Sequence, residues 1–203
     1  MDIAIIGATG NVGSRLLDEA LQRGHRVTAL ARHASSLAPR ERLTTRNVDI
    51  ADGDALVAAL ADHDAVFSAV RFLGAPAAAI IGPVKRAGVR RLLVVGGAGS
   101  LEVGPGVQLA DTPGFPAAYL GEANAGRDFL GALRRERDLD WTFLSPSESF
   151  MPGQRTGKFR LGGDSLLTDA TGKSWVSIED FAIAFLDELE RPAHSRRRFT
   201  VGY

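Results

Sequence analysis

The stretch Ile3-Ala4-Ile5-Ile6-Gly7-Ala8-Thr9-Gly10-Asn11-Val12-Gly13-Ser14-Arg15-Leu16-Leu17 decides the fold. An unbroken apolar run rich in isoleucine reads as a strand buried on both faces, and Leu16-Leu17 lie on a helix that follows it. Between them stand glycines spaced by three. Gly7 permits the tight turn, Gly10 lets backbone amides approach a pyrophosphate with no Cβ in the way, and Gly13 lets the helix pack close to the strand. The helix N-terminus adds unpaired amides and the positive end of its dipole. A glycine triplet alone often marks no more than a tight strand-to-helix turn. Here it lies between the right elements and a second β-α unit follows, so Gly7, Thr9, Gly10, Asn11, Val12 and Gly13 are expected to seat a dinucleotide.

The next strand refines that expectation. In sites for NAD an acid about 20 residues past the glycines accepts hydrogen bonds from the ribose 2′-hydroxyl, whereas an arginine accommodates a 2′-phosphate. Val27-Thr28-Ala29-Leu30-Ala31 ends in Arg32, with His33 next and no acid. A guanidinium pairs well with a phosphate dianion, so NADP(H) is expected over NAD(H), against the alternative that Arg32 is a solvated strand-end charge. Asp49 and Ile50, after the third strand, are candidates to meet the adenine by its amine and its face. An ordinary turn or helix cap explains Asp49 equally well. Ala69, Val70 and Arg71, and then Gly97, close the fourth and fifth strands, in the crevice where open α/β sheets bind ligands.

Along the rest of the chain, short β-branched or leucine-rich runs alternate with helix-length segments. Strands are expected at 3–7, 26–31, 44–49, 65–70, 91–96, 141–145 and 198–201, and helices at 13–23, 53–62, 77–88, 123–137 and 177–190. The pattern predicts an α/β fold, a Rossmann-like doubly wound parallel sheet in one domain over 1–203. After Pro146 the chain turns glycine-rich and polar, which suggests that 146–203 forms a small region on the substrate side. Residues 98–116 form a long loop directly after a strand, the usual place for a substrate wall.

Composition removes several classes of function. Lys plus Arg and Asp plus Glu both number 24, so no global field draws nucleic acid or an acidic membrane to the protein. Cysteine is absent, which excludes disulfides, thiolate nucleophiles and Cys-ligated zinc. The histidines His25, His33, His63 and His194 are dispersed, so no metal is expected. No apolar stretch approaches the roughly 18 residues of a membrane span, and Met1-Asp2 lead into a strand with no basic leader, so a cytoplasmic protein is expected. Gly172-Lys173-Ser174 lacks the strand, the earlier glycine and the helix of a phosphate loop. Arg196-Arg197-Arg198 reads as a solvated basic face. Trp141 and Trp175 are expected in the core, and Phe150 and Phe159 are candidates to stack on a planar ring.

Taken together, the Gly-Ala-Thr-Gly-Asn-Val-Gly turn, Arg32, Val94-Val95-Gly96-Gly97-Ala98-Gly99-Ser100, Ser177-Ile178-Glu179-Asp180-Phe181-Ala182 and Arg198-Phe199-Thr200-Val201 resemble the atypical short-chain dehydrogenase/reductases. The resemblance covers essentially the whole chain. Within that group it is similar to small NAD(P)H-binding proteins described as NADH-flavin reductases, near the NmrA-like and biliverdin-reductase-B-like branches. The wider family implies a Tyr-x-x-x-Lys pair, in which lysine lowers the tyrosine pKa, beside a serine that polarises a carbonyl. This chain departs from that pattern: Tyr119 is followed four residues later by Ala123, and Tyr203 is the other tyrosine.

Two readings follow. One is an NADPH-dependent oxidoreductase passing hydride to a small planar acceptor of flavin or quinone type, with Ser100, Tyr119 and Ser147 as candidates to orient it. Such acceptors need little acid catalysis. The other is a non-catalytic NADP(H)-binding sensor of NmrA-like type. A monomer or homodimer is expected in either case.

Overall fold

The computed structural model describes residues 1–203. Its elements, in chain order, are β1 (Asp2–Ile6), α1 (Asn11–Gln22), β2 (Arg26–Ala31), β3 (Leu43–Asn47), α2 (Gly53–Leu60), β4 (Ala65–Ser68), α3 (Ala77–Arg86), β5 (Arg91–Val95), β6 (Glu102–Gly104), β7 (Val107–Gln108), α4 (Ala117–Arg135), β8 (Asp140–Pro146), β9 (Ser149–Met151), β10 (Arg160–Gly162), β11 (Trp175–Ser177), α5 (Ile178–Glu190) and β12 (Arg197–Gly202). The main sheet has the order β10-β12-β8-β5-β4-β1-β2-β3, parallel throughout except for β10, which runs against β12. β1 lies between β2 and β4, so the chain leaves it for one side of the sheet and later returns on the other. The carboxyl ends of β1 and β4 therefore border the crevice in which doubly wound sheets hold their ligands.

Both faces of the sheet are covered. Alternate residues of β1 divide between them: Ile3 and Ile5 pack with Leu16, Leu17, Phe181 and Phe185 of α1 and α5. Ala4 and Ile6 pack with residues of α2, α3 and α4, among them Leu56, Ile80 and Phe129. On the first face Phe67 meets Phe185 edge to face at 4.9 Å, and on the second Phe72 stacks on Phe143 at 5.9 Å. Both spacings are those at which ring quadrupoles attract.

The structure departs from the sequence reading in several places. α4 begins at Ala117, six residues before the expected start, because Pro116 at its N-cap presets the backbone and Gly121 does not interrupt the turn. The third strand spans Leu43–Asn47 rather than 44–49. The glycine-rich C-terminal part is more regular than expected. β9 and β11 form a parallel pair aligned Phe150 to Val176, and β6 and β7 form a small antiparallel ribbon in the long loop. Arg198 corrects the solvated-face reading of the arginine run. It is buried, its Nε donates to Asp164 at 2.6 Å, and Nη1 reaches the Ser100 carbonyl and Oγ at 3.4 and 3.3 Å. β12 lies inside the sheet, between β8 and β10, so one of its arginines must turn inward and find partners there. No helix is long and apolar enough to cross a membrane.

Candidate cofactor site and acceptor cavity

The glycine turn is built by contact. Gly7 has φ +85, a left-handed conformation, and a Cβ there would come within 2.7 Å of the Ala69 carbonyl oxygen. Gly13 is more constrained, because a Cβ on it would fall 2.1 Å from the Gly7 carbonyl oxygen. Gly10 differs from both. A Cβ on it would meet only Gly7 O, at 3.3 Å, so its missing side chain leaves open space beside the first turn of α1. The Gly10 amide donates to Gly7 O at 3.0 Å and its carbonyl accepts from Ser14 N at 2.9 Å, which fixes the corner.

The end of α1 is also electrostatically bare. Its N-cap Gly10 supplies no side-chain hydrogen bond, and its first turn holds no acid. Helices α2 and α5, by contrast, are capped by Asp52 and Ser177, each accepting from an amide of the first turn. The cradle left by Gly10, with uncapped amides beside it, fits a pyrophosphate.

A cavity of 450 Å³ opens from this turn along the ends of β1, β2 and β4. Gly7, Thr9 and Gly10 line one end, Ala69, Val70 and Arg71 one side, and Arg32, His33, Asp49 and Ile50 the far end. Asn11, Val12 and Gly13 lie just behind, in the first turn of α1. Arg32 is exposed at the cavity wall, and no hydrogen bond or ion pair ties it down. Asp49 accepts from the Ala51 amide at 2.9 Å, a local turn that leaves helix capping to Asp52. It takes the turn role and still faces the cavity.

A second cavity, of 1260 Å³, lies over the ends of β5 and β8. Gly96, Gly97 and Ser100 form its floor, the start of α4 one wall with Tyr119, Glu122 and Ala123, and the segments around β9 and β11 the opposite wall with Phe150, Met151 and Trp175. The stretch 71–74 runs between the two cavities. Arg71 and Gly74 face the first and Phe72 the second. Glu122 holds this divider in place, accepting from the amides of Phe72 at 2.7 Å and Leu73 at 3.3 Å and pairing with Arg71 at 3.6 Å.

The three candidates for orienting an acceptor separate here. Ser100 and Tyr119 line the second cavity, Ser100 buried and in contact with Arg198, Tyr119 exposed at the mouth. Ser147 does not line it. It is fully buried, and its hydroxyl donates to the Val201 carbonyl at 3.0 Å, tying β8 to β12. Of the aromatic candidates, Phe150 reaches the cavity while packing on Phe181 at 4.8 Å, whereas Phe159 packs against the core. Trp141 is buried as expected, but Trp175 stands half exposed on the cavity wall with Tyr203 4.2 Å behind it. Phe72, Phe115, Glu122, Glu148 and Met151 were not singled out in the sequence, and Trp175 was read only as core. Glu122, three residues after Tyr119, carried the one available signal, an acid in the first turns of a helix beside a loop.

A model of the NAD(P)H-binding family matches residues 7–192. The chain belongs to that family. Three solved structures of similar chains carry three different names. One is a "putative exported protein" from Burkholderia pseudomallei, 45% identical with TM-score 0.90 and full coverage of both chains. Another is a "putative epimerase" from Bacteroides thetaiotaomicron, 42% identical with TM-score 0.93, covering 100% of this chain and 96% of that one. The third is a "putative NADH-flavin reductase" from Streptococcus pneumoniae TIGR4, 33% identical with TM-score 0.86, covering 100% and 99%. Family membership fixes the Rossmann-like fold and the cofactor class. It leaves the reaction to be argued from the cavities.

Proposed function

We propose that this protein is an NADPH-dependent oxidoreductase that passes hydride to a small planar acceptor of flavin or quinone type. The observation that carries the reading is the pairing of two cavities across the 71–74 divider, one ending at an unpaired Arg32 and the other walled by Phe72, Phe150 and Trp175. Bound NADPH supplies the hydride. The chain's own part is to seat the diphosphate on the amides after Gly10, to grip the 2′-phosphate with Arg32, and to keep the floor at Gly97 free of side chains. Flat aromatic walls orient a flat acceptor and exclude water from its faces, and the open mouth lets solvent provide the proton. Ser100 and Tyr119 line the acceptor cavity, which supports them as the side chains that touch the acceptor. On this reading the protein works in the cytoplasm, where reduced cofactor is maintained.

The test is a titration of the pure protein with NADPH and NADH, followed by NADPH oxidation assays with riboflavin, FMN and menadione. Tighter binding of NADH than NADPH overturns the cofactor assignment. Cofactor binding without turnover of any acceptor favours the second reading, a non-catalytic NADP(H) sensor. One observation speaks for it: Ala123, at the position of the pair's lysine, packs on Gly99, where an added Cβ would come within 2.7 Å of the Ala123 methyl group. The ammonium that would lower a tyrosine pKa is therefore missing from this position.

A further inference from the structure

The two cavities are charged in opposite ways. Arg32 and Arg71 line the first against Asp49 alone, and no arginine lines the second, although the chain is rich in arginine. In the second cavity Glu122 is already engaged by Arg71 and two amides. Glu148 and Asp169 remain, against Lys173 alone. Asp169 is held as an anion, its carboxylate accepting from the Thr171 hydroxyl at 2.6 Å and from the amides of Thr171 and Lys173 at 2.8 and 3.1 Å. These bonds keep its pKa below the ordinary carboxylate range, led by the Thr171 hydroxyl. A phosphate entering this cavity finds one amine and an excess of carboxylates, the reverse of a phosphate-binding site.

The mouth of the same cavity is apolar to an unusual degree for water-facing surface. Met151 is 64% exposed, Tyr119 62% and Trp175 46%, and all three line it. Leu73, 63% exposed, adjoins them from the divider, its methyls lying within 3.8 Å of a Cβ built on Gly121 of α4. Large apolar side chains gathered at one cavity mouth mark a surface that a ligand covers.

From these features, and resting on the reading of this cavity as the acceptor site, we infer that the acceptor is an uncharged planar ring without a phosphate group. Riboflavin and a simple naphthoquinone meet that description and FMN does not. Riboflavin and FMN carry the same ring and differ only in the terminal phosphate, so they isolate the charge.

Equilibrium dialysis of riboflavin, FMN and menadione against the protein saturated with NADP tests binding without any need for turnover. Riboflavin is expected to bind at least about fivefold more tightly than FMN at low ionic strength, a gap that narrows with added salt as the repulsion is screened. Glu148→Lys is expected to raise FMN affinity severalfold and to leave riboflavin and menadione within twofold. FMN bound as tightly as riboflavin or better, or a preference that Glu148→Lys and salt leave unmoved, overturns the inference. Binding with the expected preference but without NADPH oxidation would sink the oxidoreductase reading while leaving the ligand class intact. Absence of binding by riboflavin and menadione alike would overturn the inference.

Discussion

The Gly7 carbonyl oxygen lies where a side chain on Gly13 would begin, 2.1 Å from its Cβ position. Two glycines six residues apart are thus a single constraint, in which the strand end and the first turn of α1 touch backbone to backbone. Gly13→Ala must push the helix off the strand, at a cost of about 1–3 kcal/mol for an overpacked site. In a chain of this length each kcal/mol lowers Tm by roughly 2–4 °C. A thermal melt should show that fall, and added NADPH should restore less of it than it adds to the wild type, because the displaced helix carries the diphosphate amides. An unchanged melt with full cofactor protection would contradict this account of the corner.

Arg32 stands at the cavity wall with no carboxylate to satisfy it. Hydrogen bonds to charged groups contribute about 1.5–3 kcal/mol, so Arg32→Ala is expected to weaken NADPH by roughly ten- to a hundredfold and NADH hardly at all. Arg32→Asp should go further and reverse the preference. Equal losses for the two cofactors would mean that the side chain never meets a 2′-phosphate.

Ser147 and Ser100 make a contrasting pair. Ser147→Ala removes a buried hydrogen bond to Val201 O and should cost about 1 kcal/mol of stability with no change in acceptor affinity. Ser100→Ala, on the cavity floor, should raise the acceptor KM while leaving NADPH binding alone. Steady-state kinetics beside a melt for each variant separate the two outcomes.

Much of the fold was legible in the sequence. The run 3–6, the glycine spacing and the Arg32 terminus are local signals, each carried by consecutive residues whose chemistry does not depend on distant partners. The acceptor cavity was harder to read. Trp175 and Phe150 come together on one wall of it because β9 and β11 pair over a gap of more than twenty residues, and three-residue strands leave no periodicity to detect. Arg198 looked like a surface charge because nothing nearby in sequence discloses that Asp164 and Ser100 turn toward it. Ser147 has the residue type of an acceptor contact, and only the position of Val201 shows its hydroxyl to be occupied.

Asp180 gives the molecule an acid limit. Burial raises its pKa, but the Thr156 hydroxyl, the amides of Thr156 and Gly157 and the Tyr203 hydroxyl outweigh burial, so the group stays ionised below the ordinary carboxylate range. A carboxylate with a depressed folded-state pKa stabilises above its unfolded value, near pH ~4, and that contribution is lost as pH falls through the folded value. Wild-type Tm should therefore decline on acidification below about pH 4. Asp180→Asn should be less stable at pH 7 and should lose part of this acid-side slope. A variant melting like the wild type at pH 7 would mean that these hydrogen bonds contribute nothing net.

The placement of the two indoles has a practical side. Trp141 is sealed in the core and Trp175 stands half bare on the cavity wall, so the protein's emission is expected to divide into a blue, shielded component and a red, quenchable one. Any flat molecule that settles against Trp175 dims the second and spares the first. The chain thus carries an optical gauge of its own occupancy, with no label attached.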